Sequence, residues 1–231
     1  MRFHLITLAI MLGLAGCASL RPVKDPAVHH LLDATVPGRA LTAQVPAIAV
    51  KRTTLPGYLD RLQLVTRANG KLVLSETDLW GEPLDAAISR VLAGNLGRLT
   101  GSMTIQPVES FTSLDYTALL EVKVAGFDTD DGTRMVLEGT WKLQPVGGAE
   151  TRARYFRIEV PVPITASAAD GRVEAMNRAL GLLAGRIADG IANEVSIVRG
   201  IWSPARGAGR FFQDHPNATL CPKGAAASNT G

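Results

Sequence analysis

Residues 135–144, "MVLEGTWKLQ", decide the fold of this chain. Large apolar side chains and one glycine occupy alternate positions, namely Met135, Leu137, Gly139, Trp141 and Leu143. Because successive side chains of a strand point to opposite faces, this period of two predicts a strand with one buried and one wetter face. The preceding apolar segment, "DYTALLEVKVAGF" at 115–127, is joined to it by "DTDDGTR", whose Asp-Gly pair tolerates the positive φ angles of a tight turn. We therefore expect an antiparallel hairpin here.

Further strands are predicted on both sides of this hairpin. Short segments rich in Val, Leu, Ile, Thr and aromatic residues alternate with Gly, Pro, Asn or Asp, a pattern typical of strands and turns. They are "HHLLDA" (29–34), "AIAVKRT" (47–53), "LQLVTRANGKLVLSE" (62–76), "MTIQPV" (103–108) and "RARYFRIEVPV" (152–162). The third of them contains an Asn-Gly pair, which predicts a second tight turn.

Two helices interrupt the strands. Pro83 suits the first turn of a helix, and apolar residues then recur three and four apart, at Leu84, Ile88, Val91, Leu92, Leu96 and Leu99. The second stripe is Val173, Met176, Leu180, Leu183, Ile187, Ile191 and Val195, with Ser167 and Asp170 as candidate caps. The order of elements predicts an α+β fold, a two-layer sandwich of a largely antiparallel sheet with two main helices on one face.

The N-terminal residues have the pattern of a secretory signal. A positive start at Arg2 is followed by an apolar stretch of residues 5–14, which is too short to span a bilayer. The sequence "LAGC" at 14–17 resembles the lipobox of bacterial lipoproteins, in which the cysteine is acylated and becomes the new N-terminus. Cys17 is therefore the expected lipid attachment site, and the alternative is a plain signal peptide with an incidental cysteine. In such lipoproteins, an Asp directly after the cysteine signals retention in the inner membrane. This chain has Ala18 at that position, which favours the outer membrane.

This organisation divides the chain into four parts. We expect a lipoprotein signal peptide at 1–16, a lipidated tether at 17–28, a folded domain at 29–200 and a flexible C-terminal tail at 201–231. The tail contains Cys221, for which a free thiol is favoured over a bridge to another chain.

Charge and residue types argue against several classes of function. The chain has 24 Lys and Arg against 21 Asp and Glu, and they are spread along the sequence, so a nucleic-acid partner is not expected. None of the four histidines lies in the body of the fold, and no phosphate-binding or nucleophile-elbow motif occurs. Glu76 and Asp78 are interpreted as solvated carboxylates. We therefore expect no catalytic residue, no metal site and no cofactor.

Two segments carry a resemblance to a known family. These are "TTLPGYLDRLQLVTR" (53–67) and "DLWGEPLDAAISRVLAGNL" (78–96), supported by the hairpin at 114–143. With the lipobox they resemble the ABC-type transport auxiliary lipoproteins, the PqiC-like family, over about residues 29–197. The resemblance implies a periplasm-facing, non-enzymatic lipoprotein that works with an MCE-domain protein and an ABC permease to move lipid between the inner and outer membranes. It also implies a ring-shaped homo-oligomer. The rival class is a periplasmic hydrolase or cell-wall-binding lipoprotein.

Four residues of these segments are candidates for a partner or subunit contact: Tyr58, Leu59, Arg61 and Trp80. Tyr, Trp and Arg dominate the energetics of protein interfaces, which favours this interpretation. The same residues could instead pack one corner of the fold, with Trp80 covering the first helix. The sequence leaves both interpretations open.

Overall fold

The computed structural model describes residues 25–38, 46–68, 70–110, 116–129 and 132–201, with side chains described as far as residue 192. The signal peptide, Cys17, most of the tether and the tail from residue 202 onward, including Cys221, lie outside the described residues. The chain divides into two compact units, Met1–Ala188 and Asp189–Gly231. Of the second unit, the structure describes only the end of a helix, residues 189–201, with side chains as far as residue 192.

The described residues form strands and two α-helices, which confirms the predicted α+β class. In chain order they are β1 (Val28–His30), β2 (Ile48–Val50), β3 (Gln63–Ala68), β4 (Lys71–Trp80), α1 (Leu84–Thr100), β5 (Ile105–Pro107), a 3-10 turn (Val108–Ser110), β6 (Ala118–Thr129), β7 (Arg134–Pro145), β8 (Arg154–Pro161) and α2 (Ala168–Ile201).

The larger sheet has the order β5-β2-β6-β7-β8 and contains the predicted hairpin. β6 and β7 pair antiparallel from Ala118 opposite Pro145 to Thr129 opposite Met135. Gly132, in the turn, has a φ of +84°, as the Asp-Gly pair requires. Alternate residues of β7 are buried as predicted, and the residues between them are half-buried. The period of two therefore identified both the strand and its buried face.

Gly139 interrupts that buried face for a steric reason. β6 is irregular between Val124 and Gly126, opposite this glycine. A Cβ at position 139 would lie 2.1 Å from the backbone oxygen of Lys123 and 3.0 Å from the ring of Phe156. The position admits no side chain without movement of the backbone.

The remaining strands form a second sheet, with the order β1-β4-β3. β3 and β4 are the hairpin predicted from the Asn-Gly pair, and β1 joins the end of β4 in parallel, with His30 beside Trp80. The sequence indicated a single, largely antiparallel sheet. The structure has two mixed sheets, because the three-residue strands β1 and β2 form parallel pairs with segments distant in the chain.

The predicted apolar stripes of both helices are largely buried; Leu99 is half-buried, and the side chain of Val195 lies outside the described ones. In α1 the buried residues include Leu84, Ile88, Val91, Leu92 and Leu96, and in α2 Val173, Met176, Leu180, Leu183 and Ile187. Ser167 accepts the backbone N–H of Ala169 at 3.2 Å, which is the expected role of a helix-capping side chain. The helices therefore contribute their apolar faces to the core.

Candidate functional site

The four candidate contact residues lie in different environments. Leu59 and Trp80 are buried, with 2% and 4% of their surface exposed. Tyr58 is half-buried, and Arg61 is exposed. The backbone N–H of Trp80 donates to the carbonyl of Leu62 at 2.6 Å, so the loop and the end of β4 are joined directly. The structure thus brings the four into one region, but places only two of them where another molecule could contact them.

Tyr58 is held by Asp128, a carboxylate that the sequence pattern places in the turn and the structure places at the end of β6. Its hydroxyl donates to Asp128 Oδ2 at 2.6 Å, and Arg67 Nη2 donates to the same oxygen at 3.2 Å. The Arg67 guanidinium carbon is also 5.8 Å from the centre of the Tyr58 ring, a cation–π distance. Burial, and then the hydrogen bond to Asp128, raise the pKa of Tyr58 to about 12. This triad joins the loop, β3 and the end of β6.

A second polar cluster lies where the chain enters the fold. His30, only 8% exposed, is 2.9 Å from Asp78 through Nε2. Ser75 Oγ donates to the other oxygen of Asp78 at 2.8 Å, and Asp170 Oδ1 is 3.7 Å from His30 Nδ1. The hydrogen bond with His30 is the main reason why the pKa of Asp78 is lowered.

This cluster contains a serine, a carboxylate and an imidazole, but not in the order that a serine nucleophile needs. In a catalytic triad the imidazole lies between the hydroxyl and the carboxylate, so that it can take the proton of the hydroxyl. Here Ser75 is bonded to Asp78 and not to His30. The sequence pattern predicts His30 outside the body of the fold and Asp78 on a solvated surface. The structure corrects both placements, because His30 is buried and Asp78 is its hydrogen-bonded partner. Across the described parts of the chain, no group of three or more His, Cys, Asp or Glu could hold a metal ion.

The chain after β1 is held between the two helices by side-chain bonds to its backbone. Asn177 Oδ1 accepts the N–H of Asp33 at 2.9 Å, and Asn95 Oδ1 accepts the N–H of Val36 at 3.2 Å. From α1, Arg90 donates to the carbonyl of Leu32, and Arg98 to that of Ala34. We call residues 31–36 the clamped segment. Leu32 is completely buried within it.

The hairpin formed by β3 and β4 carries three consecutive exposed apolar residues. Leu72, Val73 and Leu74 are 47%, 49% and 40% exposed, although each has a large side chain. β3 is an edge strand, and β1 pairs only with residues 78–80 of β4. The hairpin therefore offers exposed apolar side chains and unpaired strand edges together, a combination that natural proteins generally cover.

The outer face of the larger sheet is charged, and many of its charged side chains form ion pairs with one another. Lys51 and Lys142 each lie 3.7 Å from Glu121, and Arg157 bonds to Glu138 at 2.7 Å and to Glu159 at 3.0 Å. Such exposed pairs contribute little to stability, since solvent screens them. This face has the character of an ordinary solvated surface.

Comparison with known proteins identifies relatives along most of the fold. Residues 30–188 match the family model of the ABC-type transport auxiliary lipoprotein component. The intermembrane transport lipoprotein PqiC of Escherichia coli (strain K12) is 29% identical over 164 residues, which cover 69% of this chain and 82% of that protein. PqiC of Shigella flexneri matches to the same extent.

Solved structures share the fold at lower identity. The crystal structure of an uncharacterized protein aligns with a TM-score of 0.55 and 23% identity, over 64% of this chain and 96% of its own. That of protein XCC0632 from Xanthomonas campestris aligns with a TM-score of 0.56 and 13% identity, over 74% and 96%. Among the described residues, no helix has the length and apolar character needed to cross a membrane.

Proposed function

Because this chain belongs to the ABC-type transport auxiliary lipoprotein family, we propose that it is the outer-membrane-anchored, periplasm-facing component of a lipid transport system of the ABC/MCE type. In this role it links the inner and outer membranes as a docking or ring component and catalyses no reaction. The observation that carries the proposal is the family match over residues 30–188, which is supported by the PqiC relatives named as intermembrane transport lipoproteins.

The lipobox supplies the anchor in this proposal. Acylation of Cys17 attaches the chain to the membrane, since each buried CH₂ contributes about 0.8 kcal/mol and stable attachment needs more than one acyl chain. Residues 18–24 then connect the anchor to the described fold. Ala18 directs the anchor to the outer membrane rather than the inner one.

The proposed partners are an MCE-domain protein, an ABC permease and further copies of this chain. The contact region is the one that holds Tyr58, Leu59, Arg61 and Trp80. Arg61 is its exposed member and Tyr58 its half-buried one, whereas Leu59 and Trp80 are buried beneath the loop. An exposed arginine beside a rigid aromatic anchor is a common composition for the centre of a protein interface.

Affinity purification of the lipidated protein from membranes tests the proposal. We expect an MCE protein and phospholipid to copurify with it, as identified by mass spectrometry, and to be lost with Cys17→Ala. Arg61→Ala should weaken recovery of the partner without lowering the melting temperature, and exposed Arg178→Ala serves as the matched control. Isolation of the acylated protein alone, under conditions that preserve membrane complexes, would contradict the transport role.

A further inference from the structure

The exposed hairpin carries apolar side chains on both of its faces, and Arg67, which is paired with Asp128, lies opposite Leu72 in the register. Successive side chains of a strand point to opposite sides, so Leu72 and Leu74 lie on one face of β4 and Val73 on the other. All three are at least 40% exposed. An added strand or a flat protein partner would cover one edge or one face, whereas an apolar medium that surrounds the hairpin would cover both.

The direction of β1 shows from which side the chain approaches the fold. β4 runs from Lys71, next to the hairpin turn, to Trp80, and β1 runs parallel to it, with Val28 beside Asp78. The chain before Val28 therefore approaches from the side of the hairpin turn. The length of chain before residue 25 allows the proposed lipid anchor to lie on the same side of β1 as the exposed apolar tip.

The length of chain allows the anchor to lie beyond the tip. Cys17 precedes Val28 by eleven residues, which can span about 36–40 Å when extended. The strand from Asp78 back to Lys71 covers seven residues, or about 23 Å. A membrane that holds the acyl chains is thus within reach of the hairpin tip.

The charges near the tip suit a bilayer that contains anionic lipid. Lys71 is exposed beside the turn, and the chain between Cys17 and Val28 carries the basic residues Arg21 and Lys24 and one acidic residue, Asp25. Basic side chains close to an anionic membrane surface strengthen attachment, and the exposed acidic residue of β4, Glu76, lies about 16 Å along the strand from Lys71.

We propose that the tip of the β3–β4 hairpin, Lys71, Leu72, Val73 and Leu74, inserts into the lipid leaflet that holds the acyl chains of Cys17. This inference rests on the proposed anchoring. It makes the hairpin a second membrane contact, which fixes the orientation of the domain instead of leaving it to rotate freely on its tether.

Site-specific fluorescence on the full-length acylated protein tests the inference. Cys221→Ser removes the remaining thiol, and Val73→Cys or Val146→Cys adds one for an environment-sensitive label. Val146 is a matched control because it is 59% exposed, and its N–H bonds to Thr117 beside the start of β6, whereas the hairpin is bonded to Asp128 near the other end of that strand. The vesicles contain phosphatidylethanolamine and phosphatidylglycerol, with and without brominated acyl chains.

The expected result is that brominated lipid quenches the label at position 73 at least threefold more than the label at position 146. Vesicles that float with the protein but leave position 73 unquenched would overturn the hairpin insertion while retaining the anchor. Blue-shifted but unquenched emission at position 73 would show that a second copy or another protein covers the tip, which also overturns it. Protein that fails to float and lacks acylation would overturn the anchor and the insertion together.

Discussion

The hydroxyl of Tyr58 and the carboxylate of Asp128 lie 2.6 Å apart, although 70 residues separate them in the chain. Asp128 is 8% exposed and also receives Arg67, so a nearly buried charge is shared between a loop and a hairpin. This bond fixes the loop that carries Arg61 to the end of β6. The shape of the proposed contact region therefore depends on it.

Tyr58→Phe should lower the free energy of unfolding by about 1–2 kcal/mol, because Asp128 loses one of its two hydrogen-bond donors. Urea unfolding measures this loss. Tyr155→Phe is the control, since that side chain is 67% exposed and its hydroxyl is 3.4 Å from Glu138. Equal stability of the two variants would show that the bond to Asp128 contributes nothing measurable.

The raised pKa of Tyr58 predicts a loss of stability in alkali. The phenol is held protonated to about pH 12 in the fold but ionises near 10 in the unfolded chain. The contribution of the protonated phenol to the free energy of unfolding is therefore complete below pH 10 and is lost as the pH rises from 10 to 12. The absorbance titration at 295 nm should lose its most alkaline component in Tyr58→Phe and keep it in Tyr155→Phe. Retention of that component in Tyr58→Phe would assign it to another residue.

Asp78→Asn should remove an acid-dependent part of the stability. The bond to His30 lowers the pKa of Asp78 in the fold, so its contribution is present above the unfolded value near 4 and is lost as the pH falls through the folded value. At neutral pH we expect the variant to be about 1–2 kcal/mol less stable. Urea unfolding between pH 3 and pH 7 should show this difference shrinking below pH 4. A difference independent of pH would contradict the assignment.

Asn95→Ala and Asn177→Ala should release the clamped segment. Each leaves a backbone N–H of residues 31–36 without its partner, at a cost of about 1–3 kcal/mol. Hydrogen exchange followed by mass spectrometry should show faster exchange in this segment than elsewhere. Arg178→Ala, an exposed change beside Asn177, is the control. Unchanged protection of Asp33 and Val36 in the asparagine variants would show that other contacts hold the segment.

Gly139→Ala should destabilise the fold by about 2–3 kcal/mol, because its Cβ would collide with the backbone oxygen of Lys123 at 2.1 Å. Gly57→Ala is the control, with no atom within 4 Å of the added Cβ. Melting temperatures of the two variants give the comparison. A neutral Gly139→Ala variant would mean that β6 shifts at its irregular register without cost.

The long antiparallel strands and both helices could be predicted from the sequence, because their apolar periods depend only on local geometry. The pairing of β1 with β4 could not, since a three-residue strand such as "VHH" has no period and its partner is distant. For the same reason the division into two sheets was missed. Which strands pair in parallel depends on the packing of the whole domain. A short stretch of sequence carries no information about that packing.

The sequence could predict where the proposed contact region lies, but not which of its side chains are exposed. Tyr, Leu, Arg and Trp in one motif indicated either an interface or a packed corner, and burial separates Leu59 and Trp80 from Arg61. Asp128 gave no usable signal, because an acidic residue beside a turn is common on purely local grounds. Its role depends on Tyr58 and Arg67, which only the folded chain brings to it.

The clamped segment also determines how the domain would carry a mechanical load. Tension applied to residue 25 along the axis of β1 shears the hydrogen bonds between β1 and β4 together instead of opening them one by one. Bonds from two helices to residues 32–36 then resist the same pull. We expect single-molecule stretching from residue 25 to require more force than stretching from the loop at residue 57, and the difference should disappear when both asparagines are replaced by alanine. In the proposed anchored role, tension on the N-terminus would thus be borne by the body of the protein rather than by its first strand alone.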